Sequence, residues 1–382
     1  MKKIIALTTV LGLYCCFGAK KASAWSSVTH EDITKKALAL LEKEKKLRPV
    51  SFYREWHNEI LAGCTEPDKE NDIDKGLGTH YYACANAKGK ELKETNGYYK
   101  NRLGKLSKSA RTMFEENYTC AVSLYKSGDA TNGMRVLGRA IHFLSDMGCT
   151  VHVCNMKYLD KPNNVHFAFE KHVTNSCTKH TAEIFDKRLP KYFEKDNMGE
   201  ALNKLIKYAA KFTDTISHLD PRAFDDVAQN TLPVTQQNVM ALLLKFYDDC
   251  TNDKGNYITD QKLYSFKNEV SGLVLTVTTK GLMLEKPDKE SEQKIMVCLS
   301  DNGTFGLKTA DGGYVSANCK GYDYLKLDGK PAQFRAAALG KRRFRISTEQ
   351  SGFEKVLANG KGGSLTSTDF DPENSAQIWI LN

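Results

Sequence analysis

Apolar residues recur at helical spacing through the first two thirds of the chain, between residues 31 and 249. Ile33, Ala37 and Leu41, for example, follow one another at intervals of four residues, about one turn of an α-helix. Glycine and proline collect between these periodic runs and mark the connections. The pattern predicts an all-α domain over residues 25–256.

The hydrophobic pattern changes after a polar stretch at residues 251–262. Beyond it apolar and polar residues alternate, as at Leu273, Leu275 and Val277, and Gly, Asp and Asn separate the short runs. Alternation of this kind is typical of half-buried strands joined by tight turns. We therefore expect a second, all-β domain over residues 263–382, either a barrel or a sandwich.

An internal repeat with a period near 40 residues runs through the predicted β domain. In each unit an aromatic residue opens a candidate strand, and a glutamine follows towards the end. The aromatic residues are Tyr264, Phe305 and Phe344, separated by 41 and 39 positions, and the glutamines are Gln293, Gln333 and Gln377, separated by 40 and 44. Fixed periods of this length indicate repeated supersecondary units. The tail resembles a β-trefoil of the ricin B lectin or fascin-like kind, with a β-sandwich as the alternative.

Residues 1–24 have the features of a cleaved signal peptide. Two lysines at the start precede an apolar run, and the small residues Ala22 and Ala24 stand before Trp25. The apolar run is about 14 residues long, shorter than the ~20 that a bilayer-spanning helix needs. We expect cleavage before Trp25 and export of the mature chain.

Composition and charge exclude some classes of protein, but they do not indicate a particular function. Hydrophobic residues make up 41% of the chain and charged residues 26%, which is typical of a folded protein rather than a disordered or multi-pass membrane protein. The formal net charge is +9, and four of the lysines lie in the leader. This mild basic bias suits anionic lipid and nucleic acid equally.

The cysteine count suggests some disulfides in an exported protein. Two of the eleven cysteines lie in the leader, and nine in the mature chain leave at least one unpaired. Cys149 and Cys154 bracket His152, while Cys64 and Cys84 stand around further candidate ligands. The hypothesis is that these four cysteines brace the metal-binding loops.

Histidine and carboxylate residues recur at a spacing of four in the helical part. His142 and Asp146 form one such pair, and His166 and Glu170 form a second, with His152 between them. Residues at i and i+4 project from one face of a helix, so each pair can hold one ion. Imidazole nitrogen with carboxylate oxygen is a ligand combination suited to zinc.

The order of these residues resembles that of the bacterial zinc-dependent phospholipase C family, to which the clostridial alpha-toxin belongs. The distinguishing string is H-x3-D-x5-H-x13-H-x3-E, and the segment A-G-C-T-E-P-D precedes it. The matching positions are Trp25, His30, Asp68, His80, His142, Asp146, His152, His166 and Glu170. The resemblance implies an all-α zinc hydrolase with three Zn²⁺ ions, acting on glycerophospholipids such as phosphatidylcholine at a membrane surface.

The resemblance also implies a role for each matching residue. One zinc would be held by His80, His142 and Asp146 with Asp68 close by, a second by His152, His166 and Glu170, and a third by Trp25, His30 and the bridging Asp146. The third site would use the free α-amine of Trp25, which exists only after the leader is removed. Asp68 would also be the general base or the group that positions the attacking water.

Zinc chemistry explains why a phosphodiesterase would assemble such a cluster. Bound zinc neutralises the negative charge of the diester, lowers the pKa of a bound water towards ~7 and stabilises the departing oxygen. Little covalent chemistry remains for the side chains. Removing Asp68 should therefore slow turnover while leaving most of the zinc in place.

Two other functions remain open at this point. An S1/P1-like single-strand nuclease shares the three-zinc helical scaffold, and the short distance from Trp25 to His30 suits it; nucleic acid would be a partner only in that case. The 13-residue gap between His152 and His166 and the final Glu170 favour the phospholipase. A non-catalytic carbohydrate-binding or adhesion protein is the second alternative, although none of the candidate metal ligands of the pattern is missing.

Several aromatic and histidine residues have less specific interpretations. Tyr81 and Tyr82, beside His80, are expected in the core, although one ring could line a head-group pocket. The histidines outside the family string are read as surface or packing residues: His57, His172, His180 and His218. If the tail binds glycans, its candidate sugar platforms are Tyr314, Tyr322 and Trp379, but aromatic residues of a trefoil more often belong to the core.

Overall fold

The computed structural model describes two domains, one helical and one built of strands. It covers residues 25–69, 71–74, 78–82, 99–100, 106–154, 156, 164–194, 198–252, 257–278, 281–288, 293–301, 304–310, 312–317, 325–326, 331–350, 353–360, 363–371 and 374–382. The predicted leader lies outside these residues, and so do Cys84 and Tyr322. The predicted succession of an all-α and an all-β domain is confirmed.

Eleven helices and one short strand pair are described in the first domain. The helices are α1 Ser27–Lys43, α2 Leu47–Arg54, α3 His57–Thr65, α4 Ala110–Lys126, α5 Ala130–Asp146, α6 Thr150–Val153, α7 Val165–Ser176, α8 Leu189–Phe193, α9 Gly199–Ala210, α10 Thr213–Ile216 and α11 Pro221–Thr251. Strands β1 Tyr99–Lys100 and β2 Leu106–Ser107 pair in antiparallel fashion. Among the described residues no helix is long and apolar enough to cross a membrane.

Helix α5 lies at the centre of the domain, and its sequence explains its position. Asp129 caps its N-terminus by accepting a hydrogen bond from the backbone of Asn132. Gly138 faces Gly63 of α3, and the two backbones approach so closely that a Cβ at Gly138 would lie 2.2 Å from the carbonyl oxygen of Ile60. Only glycine permits this crossing, which brings the end of α3 against the buried face of α5.

The helical core includes the first described residue. Trp25 is fully buried, donates a hydrogen bond from Nε1 to the carbonyl oxygen of Ser145, and packs its ring against Phe169. This holds the chain start beside the C-terminal end of α5. Helix α11 packs against α1 and α7 and closes the domain.

The second domain is a set of short antiparallel strands with its own hydrophobic core. The strands are β3 Lys262–Tyr264, β4 Phe266–Asn268, β5 Val274–Thr278, β6 Gly281–Glu285, β7 Ile295–Leu299, β8 Phe305–Lys308, β9 Ser316–Ala317, β10 Leu325–Lys326, β11 Phe334–Ala338, β12 Arg343–Gln350, β13 Phe353–Asn359, β14 Leu365–Thr368 and β15 Ile378–Leu381. The main sheet runs β3-β7-β8-β11-β12-β15-β4. Because β3 and β4 are successive parts of one interrupted strand, this order closes a six-stranded barrel.

The strand register repeats three times around the barrel. Phe305 pairs with Phe334, and Phe344 pairs with Trp379, each opposing the last strand of its own unit. In the first unit, Tyr264 opposes Ile295 in the same way. The aromatic residues predicted to open the three units thus occupy equivalent positions, and the β-trefoil describes this domain better than the sandwich alternative.

The repeated glutamines make matching contacts in two units. Nε2 of Gln293 donates to the carbonyl oxygen of Lys286 at 2.8 Å, and Nε2 of Gln377 donates to that of Asp369 at 2.8 Å. Oε1 of each accepts a backbone N–H from a residue shortly before it, Asp288 in one unit and Asp371 in the other. The glutamines therefore satisfy buried backbone groups where each unit turns back into the barrel.

The two domains meet along one side of α4. The backbone N–H of Ala338 donates to Oγ1 of Thr119 at 3.0 Å, and Oγ of Ser347 donates to Oε1 of Glu116 at 2.9 Å. Arg345 adds an ion pair with Glu115 at 3.3 Å. These polar contacts join strands β11 and β12 to a helix that itself packs on α5.

Candidate metal centre

Helix α5 supplies the two central side chains of a buried cluster. His142 and Asp146 lie one turn apart, as the spacing predicts, and both are fully buried. Nε2 of His142 is 3.4 Å from Oδ2 of Asp146. The sequence therefore places an imidazole and a carboxylate together in the interior, where both need a partner.

His80 and Asp68 join this pair from two loops. Nδ1 of His80 is 3.0 Å from Oδ2 of Asp146 and 3.2 Å from Nε2 of His142. Asp68, in the loop after α3, places Oδ1 3.9 Å from Nε2 of His142. One donor atom from each of Asp68, His80 and His142 lies within 4.8 Å of the others, as expected for a shared ion.

His30, on α1, extends the cluster on the Oδ1 side of Asp146. Its Nε2 is 3.5 Å from Oδ1 of Asp146, and its ring stacks on His142 with the centroids 3.8 Å apart. Asp146 thus directs Oδ1 to His30 and Oδ2 to His80 and His142. A carboxylate placed in this way can bridge two cations.

A second cluster combines short helix α6 with α7. Nε2 of His152 is 3.1 Å, and Nε2 of His166 is 2.8 Å, from the same oxygen, Oε1 of Glu170. All three residues are buried. The structure therefore brings together every member of the second predicted ligand set.

The distances between donor atoms suit a small tetrahedral ion. Zinc–ligand bonds of about 2.0–2.1 Å at tetrahedral angles place ligand atoms about 3.3 Å apart. The closest pairs described above span 2.8–3.5 Å. Side chains that approach this closely through their acceptor atoms need a positive charge between them.

Backbone carbonyls fix which nitrogen three of the histidines present. Nδ1 of His142 lies 2.9 Å from the carbonyl oxygen of Cys64, that of His152 lies 2.6 Å from the oxygen of His80, and that of His166 lies 2.8 Å from the oxygen of Met156. A carbonyl oxygen only accepts, so each Nδ1 carries the proton and each Nε2 keeps a lone pair. This outer contact is the usual way in which a metal-binding histidine is oriented.

Burial leaves the imidazoles of the first cluster uncharged. Burial lowers the pKa of His142 well below its usual value, and the neighbouring rings of His30 and His80 lower it further. The pKa values of His30 and His80 are lowered by burial as well. Neutral imidazole is the form that binds metal ions.

The two carboxylates differ in their surroundings. Burial raises the pKa of Asp146 well above its usual value, because a charged carboxylate in the interior is unfavourable without a cation beside it. Burial also acts to raise the pKa of Glu170, but the neighbouring imidazoles of His166 and His152 outweigh it and lower the pKa overall. Both carboxylates thus require positive charge beside them.

Unpartnered atoms provide a direct test of whether these residues fit a metal ion. Both ring nitrogens of His30 and Oδ1 of Asp146 are buried, and within the described parts of the chain they have no hydrogen-bond partner. Buried polar atoms are nearly always bonded in native proteins. A cation between Asp146 and the surrounding imidazoles would satisfy Oδ1 of Asp146 and Nε2 of His30, so the residues fit zinc.

Trp25 lies close to this centre, as the ninth residue of the predicted set. Its indole hydrogen bond to Ser145 places it beside the residue that precedes Asp146. The side chain is fully buried, so its ring serves packing. Its backbone amine is the part that the prediction assigns to the third zinc.

Residues outside the pattern behave differently from the nine. Tyr82 is a core residue, whereas Tyr81 stacks on His152 with ring centroids 5.0 Å apart and lies against His166. His172 pairs with Asp225 at 2.8 Å. Within the described residues, none of the four other histidines belongs to a metal-type group, in agreement with the sequence interpretation.

The hypothesis that cysteines brace the metal-binding loops is wrong for the described residues. Cys149 and Cys154 are buried free thiols, and Sγ of Cys154 lies 2.7 Å from Oγ1 of Thr213. Cys64 is also free, and Cys84, the fourth cysteine of the hypothesis, lies outside the described residues. Trp379 is 1% exposed and donates Nε1 to the carbonyl oxygen of Leu357, so of its two interpretations the core residue applies and the sugar platform does not.

Sequence reasoning missed the group of charges that holds the Asp68 loop. Arg139, one helical turn before His142, contacts Glu66, Asp72 and Asp74. These three acids stand in the loop on either side of Asp68. A single arginine three positions before a histidine carries no specific signal, so only the fold reveals this group.

A model of the zinc-dependent phospholipase C family matches residues 29–221, half of the chain. The comparison with curated proteins gives no significant match.

Solved structures provide weaker likenesses. The alpha-toxin of Clostridium perfringens, isolated from avian strain SWCP, is similar at 15% identity over 92% of this chain and 98% of that one, with a TM-score of 0.49. The alpha toxin from Clostridium absonum is similar at 16% identity over 94% and 97%, also with a TM-score of 0.49. The Macrolepiota procera ricin B-like lectin, solved in complex with lactose, is 14% identical over 33% of this chain and 97% of that one, with a TM-score of 0.28.

Proposed function

The chain belongs to the zinc-dependent phospholipase C family, and from this premise we propose how its clustered side chains serve that enzyme's reaction. A phospholipase C hydrolyses a phospholipid to diacylglycerol and a phosphorylated head group. Zinc is the cofactor, and the phospholipid is the substrate. The number of ions, the role of each residue and the place of action are the proposal.

Three zinc ions are proposed, each with its own ligands. His80, His142 and Asp68 with one oxygen of Asp146 would hold the first; His152, His166 and Glu170 the second; and Trp25, His30 and the other oxygen of Asp146 the third. The observation that carries this assignment is Asp146, a fully buried carboxylate whose two oxygens are aimed at different imidazoles. A lone buried acid would be costly, whereas one shared between cations is stabilised.

The chemistry divides between the bound ions and the chain. When bound, zinc supplies Lewis acidity that offsets the charge of the phosphodiester and eases loss of a proton from water. Asp68 is assigned as the group that orients the attacking water and accepts its proton, because its carboxylate borders the cluster and is 5% exposed. Tyr81, stacked on His152, shields the second ligand set from one side.

Substitution of Asp68 tests the assignment. Asp68→Asn should lower kcat by about 10²- to 10⁴-fold, as for loss of a general base, while zinc content stays close to that of the wild type. Asp226→Asn, which removes an exposed acid on α11, is the matched control and should leave both values unchanged. An Asp68→Asn enzyme with full turnover would remove Asp68 from the catalytic machinery.

The substrate class is tested by incubating the enzyme separately with lipid and with nucleic acid. Incubation of the zinc-loaded enzyme with phosphatidylcholine vesicles should release phosphocholine, and incubation with single-stranded DNA should release no nucleotides. The opposite result would support the S1/P1-like nuclease in place of the phospholipase.

Removal of the leader is proposed to complete the third site. An amide nitrogen within the uncleaved chain is not a metal donor, whereas the free α-amine of Trp25 is. Because Trp25 is held beside Ser145, its amine would become available next to Asp146. Metal analysis should find less zinc in the precursor than in the mature protein, and equal content would contradict the idea. Export of the mature enzyme from the cell is part of the same proposal.

The β domain is proposed to direct the enzyme to glycan-bearing surfaces. The threefold repeat supports this, because equivalent shallow sites on one domain add their affinities. Tyr314, half-buried beside Lys308, is the remaining described aromatic candidate. A glycan array probed with the full-length protein should show binding that Tyr314→Ala reduces, and an array without signal would leave the domain a structural role only.

A further inference from the structure

The loop that carries Asp68 is held by charged contacts from two directions. Its described residues are 66–69 and 71–74, and three of them are acids that face Arg139 of α5. Nη1 of Arg139 is 3.0 Å from Oε2 of Glu66, and Nη2 is 2.6 Å from Oδ2 of Asp74. Asp72 also binds the same guanidinium, through both of its oxygens.

The second direction is the β domain. Nη2 of Arg335, on β11, is 2.7 Å from Oδ1 of Asp74. The side chain of Asp74 is completely buried, so its charge depends on these two arginines and on the amide of Asn117 at 3.3 Å. One acid in the Asp68 loop is therefore shared between the catalytic domain and the C-terminal domain.

The charge balance indicates why Arg335 matters. Arg139 faces all three carboxylates, and Arg135 faces only Glu66 among them. Asp72 and Asp74 therefore share the Arg139 guanidinium with Glu66, and one guanidinium does not fully compensate these acids. Arg335 supplies the second positive charge at the most buried of the three. Without it the buried Asp74 would keep only Arg139, which it shares with Glu66 and Asp72, and the simplest relief is movement of the loop towards solvent.

Asp68 would move with the loop. It lies after Glu66 and before Asp72 and Asp74, the three acids at which the guanidinium groups hold the loop. A general base has to stay within hydrogen-bond reach of the water that it activates, and displacement by about 1 Å can cost about 10²-fold in rate. A contact from the β domain thus bears on the geometry at the metal centre.

We propose that the C-terminal domain is part of the hydrolase machinery, with Arg335 as a positioning residue that holds the Asp68 loop through Asp74 and Arg139. The inference rests on the proposed function, because it takes Asp68 as the proton acceptor. This positioning role differs from a role in surface binding. It predicts that loss of Arg335 lowers turnover even on soluble substrates that present no membrane or glycan.

The full-length enzyme provides a matched pair of variants. Arg335→Gln removes the contact with Asp74, and Arg345→Gln removes the neighbouring interdomain ion pair with Glu115. Both arginines have 12% of the side chain exposed, and both lie at the same interface. Only Arg335 reaches the loop of Asp68, so the two variants separate positioning of that loop from general stability.

Three measurements are needed: kcat and KM on a soluble short-chain phosphatidylcholine below its micelle concentration, zinc content, and hydrogen–deuterium exchange of the peptide spanning residues 66–74. Arg335→Gln should lower kcat about 10- to 100-fold, with KM little changed, and should speed exchange in that peptide. Arg345→Gln should stay within about twofold of the wild type in kcat, even if the melting temperature falls equally. Arg335→Lys should recover part of the lost turnover because it restores the charge.

Equal losses of kcat in Arg335→Gln and Arg345→Gln, in proportion to their loss of stability, would overturn the proposal. So would unchanged exchange at residues 66–74 in Arg335→Gln. The exchange measurement does not depend on activity, so it tests the contact even if Asp68→Asn proves fully active. That outcome would reject the assigned role of Asp68, and not the coupling between the domains.

Discussion

Helices α3 and α5 cross closely at Gly138. The substitution Gly138→Ala therefore tests whether this packing orients the candidate metal ligand His142. A Cβ at this position would lie 2.2 Å from the carbonyl oxygen of Ile60, 2.8 Å from the backbone nitrogen of Cys64 and 2.9 Å from Cα of Gly63. All three obstacles are backbone atoms, so no side-chain rotation relieves them. The two helices would have to separate by about 1 Å to restore an ordinary carbon–oxygen contact of about 3.3 Å.

Separation of the helices would affect both stability and metal binding. Overpacking against backbone should cost about 3 kcal/mol, and alanine in place of glycine regains about 1 kcal/mol in a helix. A net loss of about 2 kcal/mol corresponds to a fall in melting temperature of about 4–8 °C for a domain of this size. The Cys64 carbonyl, now 2.9 Å from Nδ1 of His142, would move out of hydrogen-bond range. Loss of such a contact typically weakens metal affinity about 10- to 100-fold.

Thermal unfolding followed by circular dichroism, together with zinc titration of the apoenzyme, measures both effects. Gly133→Ala is the control on the same helix, because its Cβ would meet the backbone nitrogen of Tyr125 at the milder distance of 2.9 Å and does not face Cys64. Gly133→Ala should keep the zinc affinity of the wild type. If Gly138→Ala is as stable as Gly133→Ala and binds zinc equally well, the close crossing does not orient His142.

Further predictions concern acid, metal removal and thiols. The pKa of Asp74 is lowered to about 2: burial alone would raise it, but Arg335 and Arg139 outweigh burial. A depressed carboxylate pKa stabilises the fold above the unfolded value of 3.8, so about 2 kcal/mol should be lost as the pH falls from about 5 to 2. Urea unfolding of the apoenzyme should show this slope in the wild type and a smaller one in Asp74→Asn. Chelation should abolish turnover and lower the melting temperature, and added zinc should restore both; a melting temperature unmoved by chelator would contradict the buried centre. Burial raises the pKa of Cys154 to about 11 and raises that of Cys149 too, so both should resist a thiol reagent until the protein unfolds; rapid labelling of the native enzyme would show them to be accessible.

Local spacing accounts for the part of the site that could be predicted. His142 with Asp146 and His166 with Glu170 are one helical turn apart, so a helical period places each pair on one face in any fold. The family resemblance supplied the other members of the set, which lie on α1, in two loops and on α6. These residues converge in the structure, as the family pattern implies. Sequence spacing alone could not have predicted that they converge.

Other features depended on which face of an element turns inward. The alternation of β15 did not reveal whether Trp379 faces the core or solvent, and the barrel closure decided for the core. Cysteine count and position suggested that Cys149 and Cys154 brace the metal-binding loops, but both are buried free thiols, and Cys154 contacts Thr213 instead.

By itself the sequence determined the succession of helices and strands, the threefold period of the tail and the two His–carboxylate pairs at helical spacing, because these follow from local periodicity and residue chemistry. Tertiary structure alone decided that Asp146 directs its oxygens to different imidazoles, that backbone carbonyls orient three histidines, and that Arg335 reaches Asp74 from the other domain. Such contacts join residues far apart in the chain, and their energies depend on burial and distance, which arise only when the helices and the barrel have packed together.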